Sequence, residues 1–335
     1  MKRLLAAALL GAVWAPQQSG VEAQLRGLAV LDGKHAWASG EKGTVLRTRD
    51  GERWEKLSVP GGGELDFRDV EVLDAKTIIL MSAGTGEASR IYRSTDGGAA
   101  WTFVHTNPDP EGFYDAIAFW DAKRGLVLGD PVEGRFVVRL TDDGGATWRV
   151  PPSGSMPAAM PGEGAFAASG SCLTVRKGGP EAWFVTGGAR VSRVFRTKDG
   201  GLSWSTAAVP VPAGNPSSGL FSVAFLDARR GFVAGGDYKQ PDLAALNGAR
   251  TEDGGRTWKP SPIATAGFFS ALAVLPWEPE SLFAVGPGGS AVSRDAGLTW
   301  SSVDKMPLNA VAFADRAGWA VGPKGTIMRF TSSPR

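Results

Sequence analysis

The chain holds one cysteine, Cys172, and two histidines, His35 and His105. A single thiol cannot form an internal disulfide, and this stock of thiol and imidazole excludes a His/Cys zinc site. Charge of one sign is not in excess either. Lys plus Arg total 36 against 34 for Asp plus Glu, so no overall field draws the chain to nucleic acid or membranes. Past the N-terminus no apolar run approaches the roughly 20 residues that cross a bilayer, and no window keeps a helical period. No G-x-S-x-G elbow occurs, and neither histidine sits in a pattern suited to a Ser or Cys triad. The glycine-rich pieces "GTGEAS" and "GGDYKQ" lead into no helix that could receive a phosphate. No metal and no cofactor are expected.

Turn residues and indoles are plentiful instead, with Gly at 46, Pro at 22 and Trp at 12. Glycine and proline spread along the whole chain mean many turns. With 43% hydrophobic residues and so many indoles, the chain needs a core and is not disordered. Its 335 residues suffice for one large all-β domain. At the start, Lys2 and Arg3 precede an apolar run from Leu4 to Val13, which reads as a secretory signal too short to span a bilayer. Residues 1–12 are assigned to it, with cleavage placed between 12 and 23. A cut after Val21-Glu22-Ala23 has the more typical form but would remove Trp14.

One phrase recurs six times. "RSTDGGAAW", "LTDDGGATW", "RTKDGGLSW", "RTEDGGRTW" and "VSRDAGLTW" are full copies, and "RTRDGERW" is one residue short. The aspartates are Asp50, Asp96, Asp143, Asp199, Asp253 and Asp295, spaced 42 to 56 residues apart. Ahead of each lie alternating apolar stretches separated by Asp/Gly turns, which is the pattern of short strands. Four strands per unit at this spacing predict an all-β, seven-bladed β-propeller with four-stranded antiparallel blades, as one domain over residues 13–335. The seven first strands are read at "LRGLAVLD", "FRDVEVLD", "YDAIAFWD", "AFAASGSC", "LFSVAFLD", "FSALAVLP" and "LNAVAFAD". That places Cys172 on an inner strand, as a small buried apolar residue. The seventh unit lacks an outer strand, and "VWAPQQSG", similar to "TWRVPPSG", is expected to supply it and close the ring.

Within the phrase each residue type has a mechanical task. The carboxylate accepts N–H groups of its own turn, the glycine allows positive φ, and the Trp covers the turn. Six aspartates in six blades cannot converge, so they are read as structural. With these motifs the chain resembles the Asp-box (BNR-repeat) propellers, a superfamily that includes sialidases, sortilin-type receptors and photosystem II stability/assembly factor-like proteins. The short blades and the ending "GWAVGPKGTIMRF" look most like the last group.

The resemblance places the aspartate turns on one rim, leaving the opposite face to the loops between second and third strands and to the links between blades. Those loops are longest in blades two to five. Glu87, Arg90, Tyr114, Asp115, Asp130, Glu133, Arg135, Glu163, Asp237, Tyr238 and Lys239 are the candidate binding residues there. Arg90, Arg135 and Lys239 are expected to hold acidic groups, and Tyr114 and Tyr238 to supply flat apolar contact. The first reading is an exported, periplasmic or secreted monomer that binds a protein or peptide, without catalysis. The alternative is a glycoside hydrolase or a carbohydrate-binding propeller, since Glu87, Asp115, Asp130, Glu163 and Asp237 include enough acids for a pair about 5–9.5 Å apart. Against a sialidase, the sequence has no Arg-Ile-Pro segment and no third arginine is evident on that face.

Overall fold

Stretches of six to eight residues buried on both faces give short twisted strands packed between neighbouring sheets, and the turns between them fold each repeat into an antiparallel sheet. The computed structural model describes residues 13–152, 156–243, 245–263 and 267–331. The expected signal segment, residues 1–12, lies outside the described residues. Seven sheets form, and six of them have four strands. Their innermost strands are Leu25–Val30, Asp66–Val72, Tyr114–Phe119, Leu173–Val175, Ser218–Phe225, Ala271–Val274 and Ala310–Ala314, here blades one to seven.

The ring closes through the chain's two ends. Val13–Gln17 is the outermost strand of blade seven, antiparallel to Ile327–Thr331, with Trp14 opposite Phe330. Blade three has three strands. Its fourth is reduced to one bridge between Leu140 and Arg149, because Pro151 and Pro152 follow and have no N–H to donate. Blade four corrects the sequence reading. Its inner strand is Leu173–Val175, whereas 165–172 is an irregular segment inside the link from blade three. Cys172 is nonetheless fully buried.

Each full aspartate turn is closed by two side chains. In blade two, Asp96 Oδ1 accepts the Ala100 N–H at 2.9 Å, while Ser94 Oγ donates to Asp96 and accepts the Gly98 N–H at 2.7 Å. The same pair of bonds recurs around Asp143, Asp199, Asp253 and Asp295. In the clipped copy Asp50 instead accepts from Glu52 and Arg53, both at 2.8 Å. All six carboxyls are held below the usual aspartate range. At Asp50 and Asp96 the backbone donors lead; at the other four, burial opposes the shift and hydroxyl and N–H donors outweigh it.

The turns also tie neighbouring blades together. The carbonyl of Gly97, in the turn of blade two, accepts Trp37 Nε1 at 3.3 Å and the Arg47 guanidinium, both from blade one. Gly254 does the same for Trp183 and Arg196 of blade four, at 3.0 and 3.3 Å. At the closing seam the clipped first turn is supplemented by Gln17. Its amide donates to Gly51 O at 2.7 Å and accepts the indoles of Trp54 and Trp319 at 2.8 and 3.0 Å. Aromatic contacts continue between sheets, as where Trp183 stacks on Phe225 at 3.6 Å.

Candidate binding cavity at the axis

Inner strands run beside the axis, so a side chain released from their ladder points into the central opening. In four blades a β-bulge does this at the same repeat position. The register slips at Arg26, Arg68, Asp115 and Phe221, leaving each without a partner on the next strand. Bulges re-aim side chains in this way. All four line one cavity of about 690 Å³, joined by Ser270 and Asn309 of blades six and seven. That volume suits a small-molecule-sized group.

The floor is the segment that sequence reading took for a strand. Residues 164–171 cross toward the far blades and are held from several sides. Arg26 Nη1 donates to Ala168 O at 3.2 Å, and Arg68 Nη1 to Ala167 O at 3.1 Å. Ser169 Oγ donates to Ser270 O at 2.9 Å, and the Ala165 N–H reaches Asp130 Oδ1 at 2.9 Å. Gly170 has φ +75°, and a Cβ there would strike the buried Asp69 carboxylate. Asp69 in turn accepts the N–H groups of Val70 and Ile117. Glycine is what the crossing requires at this point.

The walls differ in character. Phe166 stacks on Phe221 at 3.9 Å, with Phe268 and Tyr238 edge-on to Phe221 at 4.5 and 6.1 Å. Tyr238 is 47% exposed, so this apolar nest opens to solvent. Across from it stand the two arginines. Arg68 is paired with Asp66 at 2.7 Å. Arg26 is half-buried and makes no ion pair among the described residues; burial and the charge of Arg68 lower its pKa. On the blade-three side, Asp115 is 1% exposed and neither carboxyl oxygen has a hydrogen-bond partner among the described residues. Burial and then Asp130 push its carboxyl well up, with Arg68 pulling the other way. Asp130 is pushed up to about 6 by burial, against the Ala165 N–H.

Of the residues expected from sequence, Asp115, Asp130 and Tyr238 line this cavity. The others lie elsewhere. Tyr114 is fully buried, hydrogen-bonded to His105 at 3.0 Å, and offers no contact surface. The Glu163 side chain is wholly buried and spent on Arg193. Asp237 caps a loop through Asn215 and the Lys239 N–H. Arg90 Nε is bonded to Glu87 O at 2.7 Å and its guanidinium lies over Phe103, and Arg135 donates to Met156 O. Glu133 sits at a hairpin tip with φ 51°, and Lys239 is exposed. The reading that no further arginine serves this face is also corrected, because Arg26 and Arg68 reach the axis. Their signal was the second residue of the phrases "LRG", "FRD", "YDA" and "LFS", one column of the repeat.

Fold and cavity together define a closed seven-bladed propeller with a cavity at its axis. No protein-family model matches the chain. In sequence it is 25% identical over 253 residues to the chloroplastic photosystem II stability/assembly factor of Arabidopsis thaliana, covering 61% of this chain and 60% of that one. It is 26% identical over 254 residues to xyloglucanase Xgh74A of Acetivibrio thermocellus, covering 65% of this chain but 28% of the enzyme. The chain thus spans less than two thirds of these curated relatives. Among solved structures, YCF48 bound to D1 peptide matches with a TM-score of 0.67 and 18% identity, over 98% of this chain and 100% of that chain. A GH74 xyloglucanase from Xanthomonas campestris matches with a TM-score of 0.62 and 17% identity, over 95% and 53%. The chain is similar to the photosystem II assembly factor-like propellers and shares their fold.

Proposed function

We infer that this protein is an exported, assembly- or stability-factor-like propeller that binds a peptide segment of a protein partner at the axial mouth. The observation that carries the reading is Arg26: a half-buried guanidinium with no ion-pair partner and a backbone carbonyl as its one acceptor among the described residues, lining the same cavity as the open nest of Phe166, Phe221, Phe268 and Tyr238. A carboxylate from the ligand supplies a direct ion pair through charge-assisted hydrogen bonds, where Asp66 and Glu41 act on Arg26 only through space, and an apolar side chain fills the nest. The similar solved propeller described as bound to D1 peptide supports a peptide as the ligand class. Export rests on the N-terminal Lys-Arg and apolar run.

Fluorescence anisotropy with acidic peptides tests this, each used with a free and an amidated terminus. Arg26→Gln is expected to weaken binding by about tenfold or more, the value of one charged hydrogen bond. Equal affinity of wild type and variant for every peptide refutes the site.

A second reading, glycan hydrolysis, has one observation in its favour: Asp115 and Asp130 share the cavity with raised pKa values. Release of reducing ends from xyloglucan separates the two. Turnover that Asp130→Asn abolishes supports the enzyme, and no turnover leaves the binder.

A further inference from the structure

The repeat provides an internal control for a second site, on the rim of the aspartate turns. At the junction of blades one and two, the inter-blade arginine Arg47 is neutralised by Glu55, the residue opposite it on the outer strand, at 2.7 Å. Arg49 joins the same carboxylate at 3.1 Å. At the junction of blades four and five, Arg196 holds the matching place, bonded to Gly254 O as Arg47 is to Gly97 O. The residue opposite it is Ser205, which accepts from Arg196 Nε at 3.2 Å and carries no charge.

Three further differences at this junction add or keep positive charge, while Glu181, in the place of His35, and Glu252, in the place of Thr95 and paired with Arg250 and Lys259, add carboxylates. Lys198 stands where blade one has Arg49, and Arg229 where blade two has Lys76, since the carbonyls of Lys76 and Arg229 accept the N–H groups of Gly97 and Gly254 in turn. Arg256 occupies the turn position that Ala99 holds in blade two. The four cations border a pocket of about 180 Å³, and none has an ion-pair partner among the described residues. Two carboxylates also line it. Glu181 is spent on Arg176 at 2.7 Å, and Asp253 is occupied by Thr251, Thr257 and the N–H of Arg256. Burial and the charge of Arg256 both lower the Arg196 pKa.

We propose that this pocket binds a phosphate group. Its lining suits a compact, multiply charged oxyanion: three guanidinium groups and one ammonium border it, with room for little more than the anion and its water. The phosphate comes either free in solution or from the headgroups of an anionic membrane. The site lies on the opposite rim from the axial mouth and is independent of what that mouth binds.

Isothermal titration with inorganic phosphate at constant ionic strength tests the proposal. Two variants restore residue types of the blade one–two junction: Ser205→Glu and Arg256→Ala. Each is expected to lower phosphate affinity by about tenfold, through a gained opposing charge or a lost donor. Circular dichroism confirms folding, and Lys198→Ala, at an exposed residue, serves if either variant fails. Co-sedimentation with phosphatidylglycerol and phosphatidylcholine vesicles identifies the source. Retention on the former, displaced by phosphate, assigns a headgroup; phosphate binding without retention assigns the free ion. No phosphate binding by wild type, or equal affinity in wild type and variants, overturns the proposal.

Discussion

Replacing Gln17 by leucine tests how the ring is held shut. The amide of Gln17 is the shared partner of two indoles and one carbonyl at the seam between blades seven and one. Leucine keeps much of the volume and removes all three bonds. Trp319 is fully buried and Gly51 is buried, so neither recovers a partner from water; Trp54 is half-buried and recovers in part. A buried polar group left unpaired costs about 1–3 kcal/mol, so the sum is about 3 kcal/mol once partial rescue is allowed. With an unfolding entropy of about 2.1 cal/mol/K per residue, that lowers the melting temperature by roughly 5 °C. Differential scanning calorimetry measures it, with Gln18→Leu on the exposed neighbour as the control. A shift of Gln17→Leu within about 1 °C of that control refutes the claim that this amide locks the seam.

Three further outcomes follow from the same geometry. The six turn aspartates have depressed folded pKa values, so their stabilisation is complete above the unfolded value near 4 and is lost as pH falls through the folded values, Asp253 at about 2. Melting temperature should therefore drop steeply between about pH 4 and pH 2, and a flat profile there contradicts the account. Asp130, pushed up to about 6, is neutral below that pH and anionic above it; affinity for a carboxylate-bearing peptide should rise as pH falls through 6, and Asp130→Asn should erase the dependence. Gly170→Ala puts a Cβ against the Asp69 carboxylate at a positive φ. It should cost about 1–3 kcal/mol in a denaturant titration and weaken peptide binding through the displaced floor.

The architecture was legible because it is written seven times. Period-two alternation located six of the seven inner strands, five of them ahead of an aspartate turn and the sixth in blade seven, and the likeness of "VWAPQQSG" to "TWRVPPSG" identified the strand that closes blade seven. Blade four misled because Ala165, Ala167 and Ser169 alternate like a strand while the true strand, Leu173–Val175, has only three residues. The site was less legible. Loop length drew attention to Glu163, Asp237 and Tyr114, but whether a polar side chain is spent depends on partners far away in sequence, such as Arg193 for Glu163, 30 residues on. Arg26 and Arg68 were hidden by the opposite error. They sit in strands and look like scaffold, and only the bulge in each inner strand turns them toward the axis.

Hydrogen–deuterium exchange on the protein saturated with its highest-affinity acidic peptide tests the central claim, that recognition occurs at the axial mouth. The account predicts added protection in the crossing segment 164–171 and around Tyr238, with no change at the turns of Asp96, Asp199 and Asp295. Protection confined to those turns, or its absence at 164–171, contradicts it.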